Sequence, residues 1–532
     1  MSILDIKNLS VDYIGESSET RALKNISISL SENEILGVVG ESGCGKSTLI
    51  KSIMRILNAP GLITSGNIDF DSHKILAMSD EELYSIRWKE ISLVKQKALN
   101  SLNPVSKIGS QLSLPFQFHL GLSKEESEAR ARELLDLVNI DQRYYDSYPH
   151  ELSGGMRQRV IIAIALSLKP KLIIMDEPTT ALDVITEREI INNIQELQKS
   201  LGFSVIFITH DLNLLMQFAD KICVLYDGEM VDYGTSKQIG DGGKHYYTKT
   251  LLDSIPNIDK SISSFKPKDK LSNKILSLDN ISVNYQLGSW LFPDILSAVN
   301  GVSLDLYSGH VTSIIGESGS GKSTIAKVIC GLERLSDGQL TEYFDDSNED
   351  INFDLNYRKN VQMIFQDPFA ALNPIHSVFH HLKRPLIRFG MESRANLWNK
   401  ACEILEMVEL DPAEEFLNKY PHEMSGGECQ RVCIARALCS HPKLIIADEP
   451  TSMLDVSIRN DILMLFNKLK EKYNTGIMLI THDIASAAVC SDHMIVLKKG
   501  EVVESGSVKT IIESPKNKYT KSLIGASKSD WF

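Results

Sequence analysis

Nothing restricts this chain more than its own repetition. GESGCGKST at Gly40–Thr48 returns as GESGSGKST at Gly316–Thr324, and SGGMRQR at Ser153–Arg159 returns as SGGECQR at Ser425–Arg431. MDEPTTALDV at Met175–Val184 returns as ADEPTSMLDV at Ala447–Val456, and ITHD at Ile208–Asp211 returns as ITHD at Ile480–Asp483. The first pair is offset by 276 residues and the other three by 272, so a whole domain is duplicated with little inserted in either copy. A length of 532 residues suits two large domains. Between the copies, Pro256–Lys274 is polar and lysine-rich, holds two prolines and has little apolar periodicity. The pattern predicts domains at 1–255 and 275–532, joined by a linker at 256–274. The linker's 19 residues reach about 60 Å at roughly 3.4 Å each, far enough for two domains to face head to tail.

Each copy alternates short apolar strands with amphipathic stretches. Ile35–Val39 runs directly into the first glycine-rich loop, while Leu172–Met175 and Val205–Ile208 end in polar residues. Val311–Ile315, Leu444–Ala447 and Ile477–Ile480 repeat this in copy two. Strands alternating with helices predict an α/β fold with a mainly parallel sheet, which binds ligands at the carboxyl ends of its strands. The more helical stretch between the glycine-rich loop and the Asp-Glu strand is expected to form a separate helical subdomain.

The polar strand ends carry the chemistry. Gly40, Glu41, Ser42, Gly43, Cys44, Gly45, Lys46 and Ser47 fit the pattern GxxxxGK[ST], with Thr48 following. Glycines let the backbone wrap phosphates with its N–H groups, Lys46 places a point charge at the β- and γ-phosphates, and Ser47 offers a hydroxyl to Mg²⁺. Gly316, Glu317, Ser318, Gly319, Ser320, Gly321, Lys322, Ser323 and Thr324 repeat the loop, with Lys322 and Ser323 in those roles. Asp176 ends a buried strand and is placed to hold Mg²⁺ through water; Glu177, one residue on, can polarise an attacking water as general base. Asp448 and Glu449 are the second pair. His210 and His482 each follow another core strand, where a γ-phosphate should lie.

Other features remove alternatives. The net charge of −13 lowers the prospect of a nucleic-acid partner gripped by its backbone. The most apolar run, Val160–Leu168, falls far short of the roughly 20 residues that span a bilayer. Met1–Ser10 lacks a charged start followed by an apolar core, so no secretory signal is expected. The eight cysteines form no CxxC and sit in apolar or motif segments, which predicts reduced, mostly buried thiols rather than a metal site.

Taken together, these residues resemble the ATP-binding-cassette superfamily over nearly the whole chain. Leu152-Ser153-Gly154-Gly155 and Met424-Ser425-Gly426-Gly427 look like the family signature, whose serine, glycines and helix start bind the γ-phosphate of ATP held by the opposite domain. The resemblance implies two P-loop ABC ATPase domains in tandem, each with a mainly parallel-sheet core and a helical subdomain. It makes Gln96 and Gln366 the glutamines that touch Mg²⁺ or water and sense a membrane partner. Asp183 and Asp455 match the loop that crosses the dimer interface, and Tyr13 and Tyr285 match the aromatic stacked on adenine.

Finer marks narrow the resemblance to the peptide/nickel importer group. They are Phe365-Gln-Asp-Pro, Ala371-Leu-Asn-Pro374, Ser101-Leu-Asn-Pro104, Tyr148-Pro-His-Glu151, and the copy ends Tyr247–Leu252 and Tyr519–Ile524. Copy one departs from the group at Lys95-Gln96-Lys97, where an aromatic before and an acid after the glutamine are usual. The group's C-terminal cysteine cluster is missing after Leu252 and after Ile524, so no iron–sulfur cluster is expected. The implied protein binds ATP and Mg²⁺ and powers import of peptides or peptide-like solutes. Its expected partners are two transmembrane permease subunits and a solute-binding protein, with the two ATPase domains paired head to tail. It would lie peripherally at the cytoplasmic face of the inner membrane and bind no nucleic acid. The alternative is a soluble tandem cassette acting on ribosomes or nucleic acid, disfavoured by the short, proline-broken linker. Intact Glu177 and Glu449 disfavour a scaffold without turnover.

Overall fold

The computed structural model describes residues 2–15, 19–95, 101–180, 182–255, 273–289, 292–344 and 349–527. They form two compact units, the first carrying the elements up to Ile255 and the second those from Asn273 onward. Most of the expected linker, residues 256–272, lies outside the described residues. Its expected last residue, Lys274, is already strand: it pairs with Tyr307, and its ammonium lies 2.9 Å from Asp305.

Each unit is organised by a six-stranded sheet. In the first unit the strand order is Glu229–Thr235, Lys221–Tyr226, Ile35–Val39, Ser204–Thr209, Leu172–Asp176 and Ile91–Val94, parallel except for the outer strand Glu229–Thr235. Side chains alternate between the two faces of a strand, and both faces of this sheet are covered. Ile35, Val39, Ile173, Met175, Val205 and Phe207 pack against the helical side. Leu36, Val38, Leu172, Ile174, Ile206 and Ile208 join the core on the other side. Continuous apolar strands such as Ile-Leu-Gly-Val-Val are what a sheet buried on both faces requires. The second unit repeats the order with Glu501–Ser507, His493–Lys498, Val311–Ile315, Gly476–Thr481, Leu444–Asp448 and Val361–Ile364.

The second face is covered by an element absent from the sequence reading. Ser2–Ile14, Glu19–Ser31, Gly61–Phe70 and His73–Lys74 form a four-stranded antiparallel sheet, matched in unit two by Lys274–Ser289, Phe292–Tyr307, Asp337–Glu342 and Glu349–Asp350. The expected helical subdomain holds Ile108–Leu120, Lys124–Leu137 and Gly154–Leu166 in unit one. In unit two it holds Val378–Arg388, Leu397–Met407, Ala413–Asn418 and Gly426–Leu438. One of these helices starts at a full side-chain cap: Ser123 and Glu126 form a reciprocal capping box ahead of Lys124–Leu137. Among the described residues, no helix is long and apolar enough to cross a membrane. Six cysteines are buried, and Cys330 and Cys402 are half-buried.

Candidate active site

The sheet brings the loop, the carboxylates and the histidine of each copy to one edge. Val39 pairs with Thr209 and Asp176 with Ile208, so the residues following them emerge side by side. This is the carboxyl edge at which open α/β sheets hold ligands. Ile315 pairs with Thr481 and Asp448 with Ile480 in the second unit.

Both phosphate loops depend on close backbone approach. A Cβ on Gly40 would lie 2.3 Å from the Leu225 carbonyl, and one on Gly316 would lie 2.2 Å from the Leu497 carbonyl. Gly45 and Gly321, at φ 108° and 102°, cap the helices Lys46–Ile53 and Lys322–Ile329. Each lysine is buried and folds into its own loop. Lys46 Nζ donates to the carbonyls of Gly40 (2.5 Å) and Glu41 (2.7 Å), and Lys322 Nζ to those of Gly316 (2.7 Å) and Glu317 (2.8 Å). Burial pushes the Lys322 pKa down, against the opposing pull of Glu449 and Asp448. Ser42, Ser47, Ser318 and Ser323 are exposed at the open side of the loops. Each loop thus holds a buried ammonium beside a helix N-terminus, the chemistry of a phosphate site.

Ser323 Oγ donates to Asp448 Oδ1 at 3.1 Å. Burial raises the Asp448 pKa and the neighbouring Glu449 adds to the rise; burial and Glu177 push Asp176 up to about 6. Among the described residues, no three His, Cys, Asp or Glu side chains are arranged as a metal cage. A hydroxyl beside a carboxylate that resists carrying its own charge suits Mg²⁺, which keeps several waters and uses substrate phosphates rather than an all-protein cage.

Glu177 and Glu449 both sit at φ 46°, a left-handed backbone costly for a residue with a side chain. Their N–H groups donate to Ile208 and Ile480 carbonyls at 2.9 Å in each copy. Glu449 is held on both oxygens: His482 Nδ1 lies 3.2 Å from Oε1 and Gln366 Nε2 donates to Oε2 at 2.9 Å. Burial works to raise the Glu449 pKa, but His482 and Lys322 outweigh it and hold it below its usual value. Burial acts to lower His482, and the contact with Glu449 wins and raises it. In copy one His210 Nδ1 is 3.5 Å from Glu177 Oε1, and Thr180 Oγ1, unnoticed in the sequence, donates to Glu177 Oε2 at 3.2 Å. Gln96 lies outside the described residues; Lys95 before it is exposed.

The Ser-Gly-Gly segments start helices of the other subdomain. Ser153 caps Gly154–Leu166 by accepting from the Met156 N–H, and Ser425 caps Gly426–Leu438 in a reciprocal box with Glu428. The second glycine has a packing reason: a Cβ on Gly155 would meet Thr186 Cγ2 at 2.4 Å, and one on Gly427 would meet Ile458 Cγ2 at 2.8 Å. Asp183 and Asp455 immediately precede the helices Val184–Leu201 and Val456–Tyr473. Tyr13 Oη lies 3.4 Å from Thr48 Oγ1 of the loop helix, and Tyr285 Oη donates to Glu333 at 3.2 Å.

A duplicated phosphate-loop sheet with an Asp-Glu strand end, a histidine and a Ser-Gly-Gly helix start defines a class, and the chain belongs to it: it is a member of the ABC transporter family, whose profile matches residues 23–180 and 299–452. It binds and hydrolyses ATP as the energy-supplying subunit of a transporter. A second profile, described as the oligopeptide/dipeptide transporter C-terminal region, matches residues 231–276 and so runs across the whole of the segment 256–274 read as a linker. The chain is 35% identical over 560 residues to the glutathione import ATP-binding protein GsiA of Escherichia coli K12, covering 99% of this chain and 89% of that one. The protein of the same name from Salmonella typhimurium is 35% identical over 559 residues, covering 98% and 89%. These full-length relatives favour the transporter reading over the ribosomal or nucleic-acid one. Among solved structures, the ADP- and phosphate-bound dimer of the cassette MJ0796 aligns at TM-score 0.40 and 33% identity, over 44% of this chain and 98% of that one.

Proposed function

We propose that the chain powers import of peptides or peptide-like solutes, glutathione-sized compounds among them, through separate permease subunits supplied by a solute-binding protein. The copies 1–255 and 275–532 each act as one nucleotide-binding domain, joined by 256–274, at the cytoplasmic face of the membrane. Each takes one MgATP, without an iron–sulfur centre. Lys46 and Lys322 bind the β- and γ-phosphates; Ser47, Asp176 and Gln96 in one copy, and Ser323, Asp448 and Gln366 in the other, hold Mg²⁺ and its waters. Tyr13 and Tyr285 stack on adenine. Glu177 and Glu449 take the proton of the attacking water, with His210 and His482 at the γ-phosphate. The domains pair head to tail, so that Ser425, Gly426 and Gly427 complete the site of Lys46, and Ser153, Gly154 and Gly155 that of Lys322. Asp183 and Asp455 lie at this interface.

The observation that carries the catalytic part is the grip on Glu449 by His482 and Gln366, which aims an ionised carboxylate at the end of the phosphate-loop sheet. Glu177→Gln with Glu449→Gln keeps size and hydrogen bonding but removes the base. A positioned base contributes about 10²–10⁴ in rate. The double variant is expected to lose turnover by that factor, measured as phosphate release, while still retaining two ATP in a filter-binding assay. A double variant that turns over like the wild type would remove both glutamates from the chemistry.

A further inference from the structure

The copy ends Tyr247–Leu252 and Tyr519–Ile524 share a pattern that the chemistry above does not use. In copy two this segment lies in the helix Lys518–Ser527. The start of that helix is fastened to the edge strand Glu501–Ser507: Glu504 accepts from the N–H groups of Lys516 (2.8 Å) and Asn517 (3.0 Å), and Asn517 Oδ1 accepts from the Tyr519 N–H at 2.8 Å. Tyr519, Leu523 and Ile524 pack in one core with Ile315, the last residue before the phosphate loop. From there the buried Tyr519 hydroxyl accepts a hydrogen bond from the Glu317 N–H at 2.8 Å, 202 residues away in sequence. Lys498 Nζ stands 4.5 Å over the ring. Burial pushes the phenol up to about 12, so it is neutral at ordinary pH.

The Glu317 N–H belongs to the same peptide unit as the Gly316 carbonyl, which accepts from Lys322 Nζ at 2.7 Å. A planar trans peptide sends its N–H and C=O in opposite directions. A phenol on one side and an ammonium on the other therefore hold a single peptide plane. Turning that plane would break both bonds. The residue on its N-terminal side is glycine, which has the most backbone freedom to lose; the 2.2 Å approach to the Leu497 carbonyl leaves no room for a side chain there.

We propose that Tyr519 is a positioning residue of the copy-two phosphate loop: its hydroxyl fixes the Gly316–Glu317 peptide so that Lys322 is presented to the nucleotide phosphates. The helix Lys518–Ser527 is then part of the ATP-binding machinery rather than a terminal appendage. The inference rests on the copy-two loop being an ATP site. In copy one the position matching Lys498 is Tyr226, whose ring lies 4.4 Å from that of Tyr247, so the cationic brace belongs to copy two alone.

The test is Tyr519→Phe in the full chain, which keeps the ring and its contact with Lys498 and removes only the hydroxyl. Binding is read for each copy by titrating a photoreactive azido-ATP with Mg²⁺ and locating the label by peptide mass. Losing one buried neutral hydrogen bond and leaving its N–H unpaired should raise the apparent Kd of copy two about three- to tenfold, with copy one unchanged. In turnover this is a rise in KM with kcat within about twofold. Lys322→Ala separates the two readings. If it leaves copy-two labelling intact, the loop is not the ATP site. If it abolishes labelling while Tyr519→Phe binds like the wild type, Tyr519 positions nothing. Should the Phe variant fold poorly, hydrogen exchange in the nucleotide-free wild type decides: the Glu317 amide is expected to be protected, and exchange at the rate of an open loop overturns the proposal.

Discussion

Asp176 shows what a buried carboxylate at the end of a core strand costs the fold. Burial, with Glu177 beside it, lifts its pKa from 3.8 to about 6. A carboxylate whose folded pKa is raised destabilises the folded chain once it ionises. Stability is therefore withheld above about pH 6 and regained as pH falls from there toward 4. A rise of this size corresponds to about 3 kcal/mol at full strength, and to about 1–2 kcal/mol with the group partly open to solvent. Asp176→Asn, measured by calorimetry without nucleotide or Mg²⁺, is expected to raise the melting temperature of its unit at pH 7.5 and leave it unchanged at pH 4. An equal or lower melting temperature at pH 7.5 would mean that Asp176 is already compensated. Most candidate site residues could be picked out because each motif occurs twice, at a strand end or at a helix start. The grip of Thr180 on Glu177 and of Tyr519 on Glu317 could not: a threonine is common in any turn, and the tyrosine acts across 202 residues.

Among the elements, the helix Gly426–Leu438 shows that its first two glycines differ in how tightly they are packed. On Gly426 an added Cβ meets Leu454 at 3.6 Å, an ordinary contact, whereas on Gly427 it meets the branched Ile458 at 2.8 Å. Gly426→Ala is thus expected to leave the melting temperature of the second unit nearly unchanged, and Gly427→Val to lower its stability by about 1–3 kcal/mol through overpacking against the helix Val456–Tyr473. Equal melting curves for the two variants would show that Ile458 yields freely. Of the core strands, Ile35–Val39 was legible as a continuous nonpolar run, and Val311–Ile315, which carries Thr312 and Ser313, by the repeated glycine-rich loop that follows it; both bounds hold to the residue. The antiparallel sheet was not. In Glu19–Ser31 buried and exposed residues mix, so the strand carries no such run. Its partner Ser2–Ile14 breaks register with it several times, which blurs the period-two pattern that sequence reading relies on.

At the scale of the whole chain, the two copies share one polypeptide and one stretch of connecting sequence. Replacing Phe265–Asn273 by a Gly/Ser stretch of equal length tests whether that stretch is only a tether. ATP turnover should stay within about twofold of the wild type. A large loss would show that this part of the oligopeptide/dipeptide transporter region, matched over residues 231–276, is needed for more than length. The left-handed backbone at Glu177 and Glu449 has a consequence for how such a chain can change over generations. Glycine relaxes that conformation, so a mutation there offers stability in exchange for the carboxylate. A copy no longer required to turn over would drift toward the relaxed residue. Both copies hold glutamate in that same left-handed backbone, so the relaxing exchange is open to either of them and has been taken by neither.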